Sequence, residues 1–307
     1  MRLVLGTRGS PLALWQAHHV ADRLREESPF LDVELQIIAT AGDQKADLSL
    51  ASSSGQGLFV REIETALLNG TIDLAVHSLK DLPTETPAGL KLSAILKRHD
   101  PRDALVSRSS RSIYDLKPGA RIGTGSPRRR CQVLHARADI SVLPVRGNVD
   151  TRLRKLEEGE FDALILAVAG IERLGLTAAP YAPIPVSVCL PAPGQGALAI
   201  ETRVDDEATR EQVAFLHDAA TASCVAAERS FLASLGAGCM APAGALGTIA
   251  GQTLGLEAMV GYPDGRSLKR DRVEGALSEA ERLGAELAHR LFDAGGDAIL
   301  REVRGAP

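Results

Sequence analysis

Gly6-Thr7-Arg8-Gly9-Ser10-Pro11, near the start of the chain, and Gly123-Thr124-Gly125-Ser126-Pro127, in its middle, decide how this sequence folds. In each, Gly-Thr closes a short apolar run that reads as a strand, and Ser-Pro opens an amphipathic run that reads as a helix. Ser suits the N-cap, where its oxygen accepts an early backbone N–H. Pro suits the first helical position, where its missing N–H is not needed. Two such strand-to-helix turns, far apart in one chain, point to two similar α/β lobes.

Working outward from the first turn, Leu3–Gly6 reads as a strand and Ala13, Ala17, Val20 and Leu24 form one face of the helix from Pro11. Val33–Ala39 is a second strand, and a helix from Leu58 carries Phe59, Ile63 and Leu67 and stops at Gly70. Ile72–Val76 is a third strand. Around the second turn the style repeats. A strand near Arg121–Gly123, a helix from Pro127, a strand Ile140–Val145, a helix Val149–Glu158 and a strand Ala163–Ala167 follow in order. Leu190-Pro191-Ala192-Pro193-Gly194-Gln195-Gly196 cannot sit inside a regular element and reads as a crossover or hinge, after which Ala197–Thr202 is again a strand. A last domain opens with a helix from Thr221 to Leu235, ended by Gly236. It closes with a helix for which Ser278 and Glu281 are expected to form a capping box, with Leu283, Leu287 and Leu291 as its buried stripe. The expected division is residues 1–96 with 197–216 as lobe 1, 100–192 as lobe 2, and 219–307 as a small C-terminal α+β domain.

Composition narrows the function. At 307 residues, 45% hydrophobic and 24% charged, the chain is that of a globular protein of two or three domains. A net charge of −4 and only 3% aromatic residues argue against a nucleic-acid coat. No apolar run is long enough to span a bilayer, and the N-terminus enters a strand at once without a signal-peptide core, so a cytoplasmic protein that contacts no membrane is expected. The four cysteines, at 131, 189, 224 and 239, lack CxxC or metal-ligand spacing and read as reduced thiols. No metal is expected. His18, His19 and His99 have no partner at ligand spacing and read as structural.

Three sets of residues could carry chemistry. Cys131, Cys189 and Cys224 fall in apolar surroundings and read as small buried hydrophobes, whereas Cys239 lies in Gly236-Ala237-Gly238-Cys239-Met240-Ala241-Pro242, past a helix end. It is either an incidental loop cysteine or a modifiable thiol. Asp81, in Val76-His77-Ser78-Leu79-Lys80-Asp81-Leu82-Pro83 directly after a strand, either caps a turn beside solvated Lys80 or faces a cationic substrate. Arg128, Arg129 and Arg130 crowd the first turn of a helix, where cations oppose the macrodipole. They are either a solvated basic face or, with Arg8, Arg146, Arg152 and Arg154 and the hydroxyls of Ser10 and Ser126, part of an anion site.

Taken in order, these motifs resemble the porphobilinogen deaminase (hydroxymethylbilane synthase) family over nearly the whole chain. The residues that carry the resemblance are Thr7 to Gln16, His77 to Pro83, Asp100-Pro101-Arg102-Asp103, Arg146-Gly147-Asn148-Val149, Pro193-Gly194-Gln195-Gly196-Ala197 and Gly238-Cys239. The resemblance implies two type II periplasmic-binding-protein-like lobes and a small third domain whose loop cysteine, here Cys239, carries one dipyrromethane per chain through a thioether. It implies a monomeric transferase that condenses four porphobilinogens head to tail with loss of ammonia and then hydrolyses off the linear tetrapyrrole. Asp81 would hydrogen-bond the pyrrole nitrogens and stabilise the cation left as ammonia departs. Arg128, Arg129, Ser126, Lys80, Asp81 and Arg146 would hold the cofactor; Arg8, Ser10, Arg146, Arg152 and Arg173 would bind substrate. Three positions depart from the pattern: Gln56 where relatives often have lysine, Gly125 and Pro127 where they often have serine and leucine, and Ala237 where they often have glycine. Two other functions use the same features: a two-lobed binding protein for a small anion, and a hydrolase with Cys239 as nucleophile, which needs a histidine beside it.

Overall fold

The computed structural model describes residues 1–40, 60–176, 180–236 and 241–305. It has two compact units, Met1–His99 with Ala197–Ala222 and Asp100–Gly196 with Ser223–Pro307.

In the first unit, β1 (Arg2–Thr7) runs parallel to β2 (Asp32–Ile37) and to β3 (Leu74–Ser78); β10 (Leu198–Arg203) lies antiparallel between β3 and β4 (Leu90–Ile95). The sheet order is β2-β1-β3-β10-β4. Helix α1 (Pro11–Glu27) buries Ala17, Val20, Ala21 and Leu24 against Leu3, Leu5, Leu74 and Val76. Helix α2 (Arg61–Leu68) covers the opposite face with Ile63 and Leu67 against Ile72 and Ala75. Its expected beginning at Leu58 and Phe59 lies outside the described residues. At its end Gly70 takes φ +74°, a conformation that only glycine adopts without strain.

The second unit repeats that sheet. β6 (Arg121–Gly123) runs parallel to β7 (Ser141–Leu143) and β8 (Ala163–Ala167), and β5 (Asp103–Val106) lies antiparallel between β8 and β9 (Tyr181–Pro183). The order is β7-β6-β8-β5-β9, strand for strand the pattern of the first sheet. Helices α3 (Pro127–Ala136), α4 (Val149–Glu157) and α5 (Val168–Arg173) pack on it. The repeated Gly-Thr also has one reason in both sheets. A Cβ on Gly6 would lie 2.3 Å from the Ile72 side chain, and one on Gly123 would lie 2.6 Å from that of Leu164. After β10 come α6 (Glu207–Val213) and the long α7 (Ala219–Leu235).

The C-terminal part of the second unit is an antiparallel sheet of β11 (Ala243–Ala250), β12 (Thr253–Gly261) and β13 (Leu268–Ala276). Helices α7 and α8 (Ala280–Leu291) pack on it through Ala227, Phe231, Leu283, Leu287 and Leu291, and α9 (Asp297–Gly305) follows. The architecture is thus α/β in two lobes with a small α+β C-terminal part. The capping box differs from expectation. Glu279, not Glu281, reaches back to accept the Ala276 N–H at 3.3 Å, because a 3₁₀ turn at Leu277–Glu279 moves the helix start beyond Ser278.

Candidate active site

In the first unit the site is built where β3 ends. Leu79 and Leu82 are buried and pin the 3₁₀ turn Leu79–Asp81 to the lobe, so Lys80 stays half-buried and Asp81 exposed. The Leu79 N–H donates to the Ala197 carbonyl at 3.1 Å, which ties the turn to the start of β10. Ser78 and His77 lie on opposite faces of β3: Gln16 Nε2 of α1 donates to Ser78 Oγ at 2.7 Å, and His77 Nε2 meets Glu201 Oε2 of β10 at 3.1 Å. Ser10 caps α1 by accepting the Ala13 N–H at 3.4 Å, so its own proton is available to a ligand. A cavity of about 80 Å³ lies here, bordered by Arg8, Ser10, Gln16, His77, Ser78 and Asp81. Arg8, Ser10 and Asp81, singled out separately in the sequence, line the same cavity.

Sequence reasoning assigned no role to His77 or Glu201. His77 is 7% and Glu201 1% exposed, and Glu201 Oε1 has no hydrogen-bond partner among the described residues. The carboxyl of Glu64 on α2 is raised from its ordinary value, first by burial and then by the negative charge of Glu201, with His77 acting in the opposite direction. A signal was present: Glu201 directly follows the apolar run Leu198–Ile200 of a strand, where a charge costs free energy unless it is paired.

In the second unit Arg128 and Arg129 at the start of α3 are neither a solvated face nor free for a ligand with every donor, while Arg130 is exposed and donates to the Val142 and Pro263 carbonyls. Arg128 and Arg129 are buried around Asp103, the first residue of β5. Arg128 Nη1 donates to Asp103 Oδ2 and to the Leu190 carbonyl, both at 2.6 Å. Arg129 donates to Asp103 Oδ1 through Nε at 2.9 Å and Nη2 at 2.7 Å, and to the Ile165 carbonyl through Nη1 at 2.9 Å. Gln195 Nε2 adds a fourth donor to this carboxylate at 2.9 Å. Burial opposes ionisation of Asp103, but the two guanidiniums outweigh it and hold the carboxyl far below the usual range. The anion that a cationic helix start calls for is therefore, in part, the protein's own. Two arginines against one carboxylate leave a net positive charge at a helix N-terminus, whose cap Ser126 accepts the Arg129 N–H at 3.4 Å.

The other basic residues are placed separately. Arg146 is exposed just before α4, and Arg152 Nε donates to the Gly147 carbonyl at 2.8 Å, bracing that turn. Gly147 has φ +101° there. Arg173 ends α5, is 9% exposed, and donates to the Gly196 carbonyl at 2.7 Å; burial pulls its pKa down to about 10. Cys131 and Cys189 are buried, and burial pushes both thiols up, Cys131 to about 12. Cys224 is buried in the C-terminal core. Cys239 and Gln56 lie outside the described residues.

A basic, hydroxyl-capped helix start beside one carboxylate in the first lobe, and a buried arginine pair with net positive charge in the second, are groups suited to anionic small molecules. A family model described as porphobilinogen deaminase, dipyromethane cofactor binding domain, matches residues 3–211, and one for the porphobilinogen deaminase C-terminal domain matches residues 222–293. A porphobilinogen deaminase of Trichlorobacter lovleyi is 50% identical over 302 residues, covering 98% of this chain and 96% of that protein. One of Pelobacter propionicus is 49% identical, covering 98% and 97%. Among solved structures, a putative methionine-binding lipoprotein of Bacillus subtilis covers 70% of this chain and 89% of its own, with 13% identity and a TM-score of 0.42.

The chain belongs to the porphobilinogen deaminase family. It is a transferase of tetrapyrrole biosynthesis that uses dipyrromethane as its cofactor and makes hydroxymethylbilane from porphobilinogen. The sequence-level alternatives of a plain binding protein and of a cysteine hydrolase give way to this assignment.

Proposed function

We propose that Asp81 is the catalytic carboxylate of this transferase and that Cys239 holds the primer. The observation that carries the first claim is the shared cavity, where Asp81 stands among Arg8, Ser10 and His77. Porphobilinogen has two carboxylates and a cationic aminomethyl group, so it needs both signs of charge at one place. Arg8 and Ser10, at the N-terminus of α1, hold a carboxylate. Asp81 accepts the pyrrole N–H and stabilises the cation that forms as the substrate's C–N bond breaks and ammonia departs with the electron pair. A carboxylate placed against developing charge stabilises the transition state more than the ground state. After the new C–C bond forms, Asp81 takes the proton displaced from the ring carbon.

Dipyrromethane, when bound, supplies the free α-carbon from which the tetrapyrrole grows. The residues fit such a group. Arg128 and Arg129 leave one positive charge uncompensated by Asp103, which matches a carboxylate-bearing pyrrole. With Ser126, Lys80, Asp81 and Arg146 they would hold its side chains, and Cys239 would anchor it through sulfur. Arg146, Arg152 and Arg173 serve the carboxylates of incoming substrate. The chain acts as a cytoplasmic monomer on small molecules, with no nucleic-acid or membrane partner; no helix among the described residues is long and apolar enough to cross a membrane. Its domains are residues 1–96 with 197–216, 100–192 and 219–307. The test is Asp81→Asn, which should bind porphobilinogen normally while losing nearly all turnover; a normal kcat refutes the role.

A further inference from the structure

The cavity beside Asp81 is polarised. On one side stand Arg8, Ser10 and the start of α1, which favour anions. The same lining includes Asp81 and His77, whose ring meets the buried Glu201 behind it, and the carboxyl of Glu64 on α2 responds to both members of that pair. Register explains the pair: in the antiparallel β3–β10 ladder His77 lies opposite Ala199, and Glu201, two residues along β10, shares its face. Ser78, the next residue, points to the α1 side instead and is held by Gln16. His77 is therefore placed on the cavity wall by strand geometry and oriented by one bond to Glu201.

With the Glu201 carboxylate as acceptor, Nε2 carries the proton shared with Oε2, and in that neutral tautomer the remaining nitrogen, Nδ1, is an acceptor. Glu201 Oε1, buried and without a hydrogen-bond partner among the described residues, adds negative potential behind the ring. An acceptor backed by a buried carboxylate matches a cationic donor and rejects an anion.

We propose that His77 is a specificity-determining residue that accepts a hydrogen bond from the aminomethyl ammonium of porphobilinogen through Nδ1, and that Glu201 is the positioning residue that holds its ring. Resting on the reading of this cavity as the pyrrole site, the proposal orients the substrate: carboxylate toward Arg8 and Ser10, aminomethyl group toward His77, ring N–H toward Asp81. The leaving nitrogen is thereby held beside the carboxylate that stabilises the cation it leaves behind.

The experiment compares porphobilinogen with a competitive pyrrole that keeps the acetate and propionate but has methyl in place of aminomethyl. In the full-length enzyme, His77→Leu and Glu201→Gln should each raise KM for porphobilinogen by about tenfold or more, the ratio carried by one hydrogen bond to a charged group. The same variants should leave Ki of the methyl pyrrole within about twofold of the parent. Glu201→Gln keeps an acceptor for Nε2 and so reports on charge alone even if His77→Leu folds poorly. A parallel rise in KM and Ki, or an unchanged KM in both variants, overturns the proposal. Arg8→Gln separates the two levels. If it weakens the methyl pyrrole while the His77 and Glu201 variants leave KM unchanged, the site stands and only the role of His77 fails. If Arg8→Gln also leaves Ki unchanged, the cavity is not the pyrrole site and the proposal falls with it.

Discussion

Replacing Asp103 by asparagine tests how the arginines at the start of α3 are held. Asp103 is fully buried, and the paired side chains of Arg128 and Arg129 are 5% and 8% exposed. Asparagine is nearly isosteric but neutral, and its amide can present N–H only where an acceptor stood before. Three guanidinium N–H groups lose an anionic acceptor, and two positive charges remain buried together. Removing one partner of a buried ion pair costs about 3–5 kcal/mol, because the charge left behind is uncompensated. The expected loss is thus about 3–5 kcal/mol in the opening free energy of β5 and α3, read by native-state hydrogen exchange at their amides, which needs no assumption that a chain of two units unfolds in one step. The pH dependence has a definite sign. Because the folded carboxyl titrates below its unfolded value, its stabilisation is complete above about pH 4 and is lost as pH falls further. Asp103→Asn should lack that acid-dependent component. Adding Arg128→Met in the same background should recover part of the loss by removing one buried charge. Opening free energies within about 1 kcal/mol of the parent, or no recovery in the double variant, refute the reasoning.

Other consequences follow from the same geometry. Arg128→Leu and Arg129→Leu should impair primer assembly or chain elongation; unchanged elongation kinetics in both would remove them from the cofactor site. Glu228, buried on α7, accepts the Gly194 and Gly247 N–H groups at 2.7 Å each, so Glu228→Ala should lower thermal stability by about 2–6 kcal/mol, at about 1–3 per buried amide left unpaired. An unshifted melting curve counts against that linkage. Cys131 and Cys189, whose thiols burial holds well above the ordinary value, should resist alkylation in the native protein at pH 8 and react only on unfolding. Peptide mapping that finds either thiol labelled in native protein contradicts this.

The local rules were legible because they act over a few residues. Ser10-Pro11 and Ser126-Pro127 start α1 and α3 as read, and Gly70 and Gly236 close two other helices, α2 and α7, with positive φ. The repeated turns announced two similar lobes, and the two sheets have the same order. What sequence could not give was nonlocal. The antiparallel strand at the heart of the first sheet, β10, comes from about a hundred residues beyond its neighbour β4, and its counterpart β5 lies before the rest of its own sheet. Asp103 was visible only as a motif residue, since nothing in its neighbourhood says that two arginines from helix α3 converge on it. Arg128 and Arg129 could be read either as a solvated charge run or as part of an anion site, and sequence could not show that a carboxylate 25 residues away supplies part of the anion. Glu201 could have been singled out from sequence, but its partner His77 could not, because pairing depends on the register of two strands 124 residues apart.

The central claim is that this enzyme grows its product on a primer held by Cys239 while Asp81, a different residue, handles the chemistry. Intact-protein mass spectrometry of the purified active chain, before and after adding porphobilinogen and with ammonia release followed in parallel, tests it most directly. The account predicts a covalent dipyrromethane on Cys239, a ladder of further pyrrole additions as ammonia appears, and no adduct in Cys239→Ser. An active chain whose Cys239 is unmodified throughout turnover would contradict it.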